Sequence, residues 1–181
     1  MKIFLDPGHG GTDSGGISPY IDNFYEKNAT LDICLRLERI LLDRGYEVEM
    51  SRRIDTTVSL NERINKANNW GADYYVSVHV NSFTNPNANG VETYYYPTSE
   101  NGEVLASEIQ SQLVLETTLE DRGVKPRDLA VLRRTTMPAA LAEIGFISNP
   151  LEGELLHQEH FRQLCAEAIA DGITQTIIVL G

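Results

Sequence analysis

Basic residues are scarce in this chain: 15 Lys and Arg stand against 26 Asp and Glu in 181 residues, a formal charge of -11. A surplus of that sign opposes the counterion release that drives nucleic-acid binding, which excludes a DNA or RNA partner. It also repels an anionic surface, so anchoring to one falls to a separate module. Cysteine is scarce as well. Cys34 and Cys165 both fall within apolar helical patterns, read as buried inert thiols, and carry no redox-compartment signal. No apolar run reaches membrane-spanning length, and the N-terminus enters strand residues without a basic and apolar leader. The expectation is a soluble chain that inserts in no membrane and carries no secretion signal. No repeat, low-complexity tract or linker divides it, and 181 residues suffice for one domain, 1–181, burying roughly 70% of its unfolded surface.

What is present is a regular alternation of strand and helix signals. Lys2 to Leu5 reads as a short buried strand ended by Pro7 and Gly8. A polar surface loop, made sticky by Tyr20, Phe24 and Tyr25, runs from Thr12 to Tyr25. From Asn28, Leu31, Cys34, Leu35, Ile40 and Leu41 recur at helical spacing until Gly45, and Tyr46 to Ser51 alternates as a strand near a sheet edge. Ser59 and Glu62 form a capping box for a second helix that ends at Gly71. Tyr74 to Val80 is a central strand with Val76, Val78 and Val80 on one face and Tyr75, Ser77 and His79 on the other. After an Asn-rich loop, Val91 to Tyr96 is expected to return antiparallel to it. A helix from Ser99 to about Thr118, a strand at Leu129–Leu132, a buried strand at Pro138–Phe146 and one long last helix beyond Asn149-Pro150 complete the pattern. It implies a three-layer α/β domain: a mostly parallel mixed sheet of about six strands with helices on both faces.

Three polar residues interrupt this pattern where strands end. His9 sits in the glycine-rich turn Asp6-Pro7-Gly8-His9-Gly10-Gly11, where backbone or ligand can approach the ring. His79 taken alone reads as a hydrogen-bonded core histidine, and Glu143 alone as a strand-end carboxylate that reaches water. Together at one carboxyl-end rim, two imidazoles and a carboxylate make an economical zinc or acid–base constellation. Glu26, just before the first helix, fits a first-turn acid favoured by the macrodipole. The loop after His9 must nevertheless return it to the same rim, where two histidines and a carboxylate would leave a fourth zinc position open. His157 and His160 stand among Glu154, Gln158 and Glu159 and read as a solvated helix start. Gly10, Gly11, Gly15 and Gly16 are followed by no Gly-Lys-Ser or Gly-Lys-Thr, so a phosphate cradle is disfavoured. Asp13 and Glu92 are further acids near the rim, without a role.

Four stretches in order carry a resemblance: Asp6–Gly11, Glu26-Lys27-Asn28, Ser77–Ser82 and Ala142–Asn149, together with Ser59-Leu60-Asn61-Glu62-Arg63 through Ala67-Asn68. The chain resembles the zinc-dependent N-acetylmuramoyl-L-alanine amidases of type 3, found in bacterial autolysins and phage endolysins, over nearly its whole length. It departs from them in the longer, more aromatic loop from Thr12 to Tyr25, which bears on how the site is bordered. The resemblance implies His9, Glu26 and His79 as ligands of one zinc ion per chain and Glu143 as the catalytic carboxylate. It implies an enzyme acting at the bacterial cell wall, reached from outside or after release from the cytoplasm; a monomer is the expectation, though nothing in the sequence fixes the oligomeric state. The reaction would be hydrolysis of the amide between the lactyl group of N-acetylmuramic acid and L-alanine of peptidoglycan, with any wall-binding module lying elsewhere in a longer parent. A non-catalytic wall-binding or regulatory domain is the alternative on the same fold.

Overall fold

The computed structural model describes residues 1–181. Strands β1 (Lys2–Pro7), β2 (Glu47–Met50), β3 (Tyr74–Asn81), β4 (Val91–Tyr95), β5 (Asp121–Pro126) and β6 (Ala139–Phe146) form one sheet in the order β2-β1-β3-β6-β4-β5. The first four in that order run parallel; β4 lies antiparallel to β6 and parallel to β5. The Val91 strand therefore does run opposite to the Tyr74 strand, but β6 is inserted between them. Reversal at this point lets β6, the strand that carries Glu143, lie between β3 and β4.

Alternation along the strands divides the core. Ile3, Leu5, Val76, Val78, Ala142 and Ile144 face one side, where α1 (Glu26–Asp43), α3 (Glu100–Thr117) and α6 (Glu159–Leu180) pack. Phe4, Tyr75, Ala139 and Leu141 face the other, against α2 (Leu60–Trp70) and α4 (Ala130–Arg133). Strands buried on both faces are what parallel β1 and β3 require. Helix α1 buries Ala29, Ile33, Cys34, Leu37 and Leu41, an i, i+4, i+8 stripe, and Gly45 in the left-handed region at φ 83 turns the chain into β2. The capping box of α2 is present, with the Ser59 amide donating to Glu62 Oε2 at 2.8 Å and the Glu62 amide donating to Ser59 Oγ at 3.3 Å. Both cysteines are free and buried, and burial pushes their thiols up.

The structure corrects three expectations. Leu129–Leu132 is not a strand: Ala130–Arg133 is the short helix α4, burying Val131 and Leu132. A run of four apolar residues suits either state, and burial decides between them only in three dimensions. The strand in that region is Asp121–Pro126, an edge strand whose Asp, Gly, Lys and Pro hide it from propensity, with Gly123 at φ 82 in a register shift against β4. The last helix is broken in two, α5 (Pro150–His157) and α6, where Gln158 adopts extended backbone at ψ 129. By length and composition α6 could also cross a membrane, a signal that unbroken apolar runs did not register. Here it is a core helix, burying Phe161, Cys165, Ile169 and Ile173 against α1 and α3.

At the carboxyl end of β6, Glu152 of α5 staples two strands. Its carboxylate accepts from the Gly90 amide and the Phe146 amide, each at 2.7 Å. The Ile147 amide donates to the Asn81 carbonyl at 2.8 Å, which fastens the end of β3 beside it.

Candidate metal centre

His9 follows β1 in a turn that only close backbone support can hold. Its φ of 60 is left-handed, a conformation that costs a non-glycine residue of order 1–3 kcal/mol. Two buried guanidiniums supply the support. Arg63 Nη1 donates to the Pro7 carbonyl and Nη2 to the His9 carbonyl, both at 2.7 Å. Arg52 Nη2 donates to the Gly8 carbonyl at 2.9 Å. Further out, Lys27 Nζ donates to the Gly11 carbonyl at 2.8 Å and pairs with Asp55 at 2.7 Å. Gly8 has to be glycine, because a Cβ there would lie 2.4 Å from the His79 ring.

Glu26 opens α1 and is only 4% exposed. Its Oε2 accepts from the Gly16 amide at 2.8 Å and its Oε1 from the Val80 amide at 3.0 Å. The same Oε1 lies 3.0 Å from His79 Nδ1 and 3.2 Å from His9 Nε2. The structure thus brings His9, Glu26 and His79 together, with one donor atom from each lying within 4.8 Å of the others. On its far side, His9 Nδ1 lies 2.9 Å from Asp13 Oδ2, which fixes the ring so that Nε2 faces Glu26. The three groups attract one another by charge. Burial works against the His9 imidazolium, but the bond and charge of Glu26, with Asp13 adding to them, raise its pKa to about 9. Burial likewise works against Glu26, and the two imidazoles outweigh it and hold the carboxyl well below its usual range. One oxygen and two ring nitrogens, converging from three segments in a largely buried place, fit a tetrahedral divalent metal with a position left open.

Glu143 is the cross-strand neighbour of His79 on β3 and of Glu92 on β4, so the three stand in one row. Its Oε2 is buried and has no hydrogen-bond partner. Burial pushes its pKa up to about 7; His79 pulls against the shift, while the charges of Glu26 and Glu92 add to it. Glu92 itself pairs with Lys125 and, at 3.4 Å, with Arg122, and accepts from Asn81 Nδ2 at 2.8 Å. A cavity of about 430 Å³ opens beside His9 and His79, walled by Thr57 to Leu60 on one side and Leu129 to Val131 on the other. His157 and His160 are exposed on α5 and α6, outside this centre.

Asp6, Arg52 and Arg63, all buried, carry much of the site's architecture and had no individual signal in the sequence. Asp6 Oδ1 pairs with Arg63 at 2.5 Å, and its Oδ2 accepts from Tyr75 at 2.6 Å and Ser77 at 2.9 Å. Burial pushes the Asp6 carboxyl up, but the Arg63 charge and these bonds outweigh it and hold it below 3.8. A depressed pKa contributes stability that is present above the unfolded value and is lost as pH falls through the folded one. Thermal unfolding from pH 6 to pH 2 is therefore expected to show Tm dropping below about pH 4, with a shallower drop in D6N/R63M. Equal slopes in the two proteins would remove Asp6 from the account.

A three-layer α/β fold whose sheet holds at its carboxyl edge a largely buried His-Glu-His cluster beside an unpartnered carboxylate defines the class: a candidate metal-dependent hydrolase. Residues 3–175 match the sequence profile of the N-acetylmuramoyl-L-alanine amidases. The sporulation-specific N-acetylmuramoyl-L-alanine amidase of Bacillus subtilis strain 168 is 40% identical over 97% of this chain and 68% of its own length. A probable cell wall amidase, LytH, of Staphylococcus epidermidis is 37% identical over 96% of this chain and 57% of its own. The catalytic domain of CwlV, an N-acetylmuramoyl-L-alanine amidase from Bacillus (Paenibacillus) polymyxa var. colistinus, superposes with a TM-score of 0.93 at 37% identity, covering 98% of each chain. This chain belongs to the N-acetylmuramoyl-L-alanine amidase family.

Proposed function

We infer that the chain hydrolyses the amide between the lactyl group of N-acetylmuramic acid and L-alanine in peptidoglycan, separating stem peptide from glycan. Its similarity to amidases along almost the whole chain supports the substrate. The observation that carries the chemistry is the convergence of His9, Glu26 and His79 next to a buried carboxylate oxygen that no protein group uses. We assign His9 Nε2, His79 Nδ1 and a Glu26 oxygen as ligands of one zinc ion. When bound, zinc supplies Lewis acidity, enough to bring the pKa of a water to about 7.

The protein residues do the rest. Asp13 and the Glu26 carboxylate keep both imidazoles aimed inward. Glu143 Oε2 accepts a proton from the attacking water and returns it to the alanine nitrogen as the amide bond breaks. Burial works to hold this carboxyl above the ordinary carboxylate range, which favours a group that must both take and give a proton. Residues 1–181 act as one catalytic unit in this reading. Its formal charge of -11 assigns attraction to an anionic wall to a separate module.

Metal content measured together with release of L-alanine amino termini from purified cell walls tests the proposal. One zinc per chain is expected, with release that stops on chelation and returns with zinc. No zinc and no release would leave a wall-binding domain on an amidase fold.

A further inference from the structure

The stretch from Ser59 to Asn68 belongs to the family pattern yet contributes nothing to the chemistry above. The structure shows what one of its residues reaches. Arg63, 4% exposed and one turn into α2, extends behind the His9 turn. Its forked head meets the Pro7 carbonyl, the His9 carbonyl and Asp6 Oδ1, while Nε donates to the Val58 carbonyl at 3.1 Å. Asp6 is itself held by Tyr75 and Ser77 of β3, the strand that carries His79. One guanidinium therefore ties the backbone on both sides of the His9 turn to the strand of the other histidine.

This matters because His9 stands in a left-handed conformation that its own side chain does not favour. A turn in that state relaxes unless its carbonyls have fixed donors, and relaxation would swing the imidazole away from Glu26. A planar fork can hold two carbonyls and a carboxylate at once, whereas the compact ammonium of lysine cannot match that geometry. We propose that Arg63, paired with Asp6, is a positioning residue of the metal centre that holds the His9 imidazole ready before a metal arrives. The inference rests on the reading of His9, Glu26 and His79 as metal ligands.

The test uses metal-stripped wild type, R63K and D6N/R63M; the double variant removes both partners of the buried pair together. Zinc affinity is measured by competition with a chromophoric chelator, and the site geometry is read from the visible absorption of the Co²⁺ form. R63K is expected to keep its circular dichroism spectrum, bind zinc about 10–100-fold more weakly and change the cobalt band, and D6N/R63M to behave likewise. R44A, which breaks the surface pair with Asp171, is expected to change neither readout. Zinc affinity within threefold of wild type in whichever variant folds overturns the assignment. Failure of both variants to fold overturns it too, because the pair would then serve the core. Wild type that binds neither zinc nor cobalt would instead sink the metal reading on which the inference stands.

Discussion

Replacing Glu143 by Gln is expected to lower kcat by about 10²–10⁴-fold, the usual range for a general acid–base group, while zinc stays at one per chain. Glutamine keeps the size of the side chain but can no longer accept and return the proton. The same change should not harm the fold. Glu143 Oε2 is buried without a partner, so wild type carries a desolvation cost that a neutral amide reduces. The sign with pH follows from the raised pKa. Between about 4.5 and 7 the folded protein holds a proton that the unfolded chain has released, so wild-type stability falls as pH rises through that window. E143Q in the metal-stripped state should lack that slope. A cation at the neighbouring cluster would pull the carboxyl back toward ionisation and flatten the wild-type curve as well. Hydrolysis by E143Q within tenfold of wild type would transfer the base role to another group.

His79→Ala should take the zinc content from one per chain to near zero and reduce hydrolysis to the level of chelated wild type. The reason is the shared Oε1 of Glu26, which lies within 3.2 Å of both imidazole nitrogens. Removing one imidazole leaves two protein donors, below the three that catalytic zinc sites use. It also removes one of the two partners that stabilise a buried carboxylate charge, so a fall in Tm should accompany the loss of metal. Metal analysis after gel filtration and a thermal melt decide both points. Full zinc occupancy in H79A would remove His79 from the ligand set.

The sequence made His9, His79 and Glu143 legible because each breaks a strong local pattern. His9 interrupts a glycine turn, and His79 and Glu143 are polar interruptions in β-branched or apolar strands. Glu26 was harder, since an acid in the first turn of a helix is unremarkable, and the fold had to return it to the rim. Arg63 and Arg52 were invisible as individuals. Each looks like a surface cation, and their carbonyl partners at Pro7, Gly8 and His9 are 44 to 56 residues away in the chain. Asp121–Pro126 and Leu129–Leu132 changed places for a related reason. An edge strand can dispense with β-branched residues when its neighbour supplies the ladder, and four apolar residues between breakers do not reveal their own period.

The Glu152 staple has a consequence for how this molecule can diverge. The chain between Asn81 and Gly90 leaves the sheet from a fixed point and re-enters it at another, both fastened by hydrogen bonds that involve none of the residues in between. Changing the length of that segment alters its loop-closure entropy and its own bonds, from the Phe83 amide to Ser148 Oγ and from Asn149 Nδ2 to the Ala88 carbonyl, while the two fastenings hold the register that sets Glu143 beside His79. Phe83, 60% exposed, stands within it. The row that sets Glu143 beside His79 can therefore stay fixed while the composition of the exposed segment above it varies.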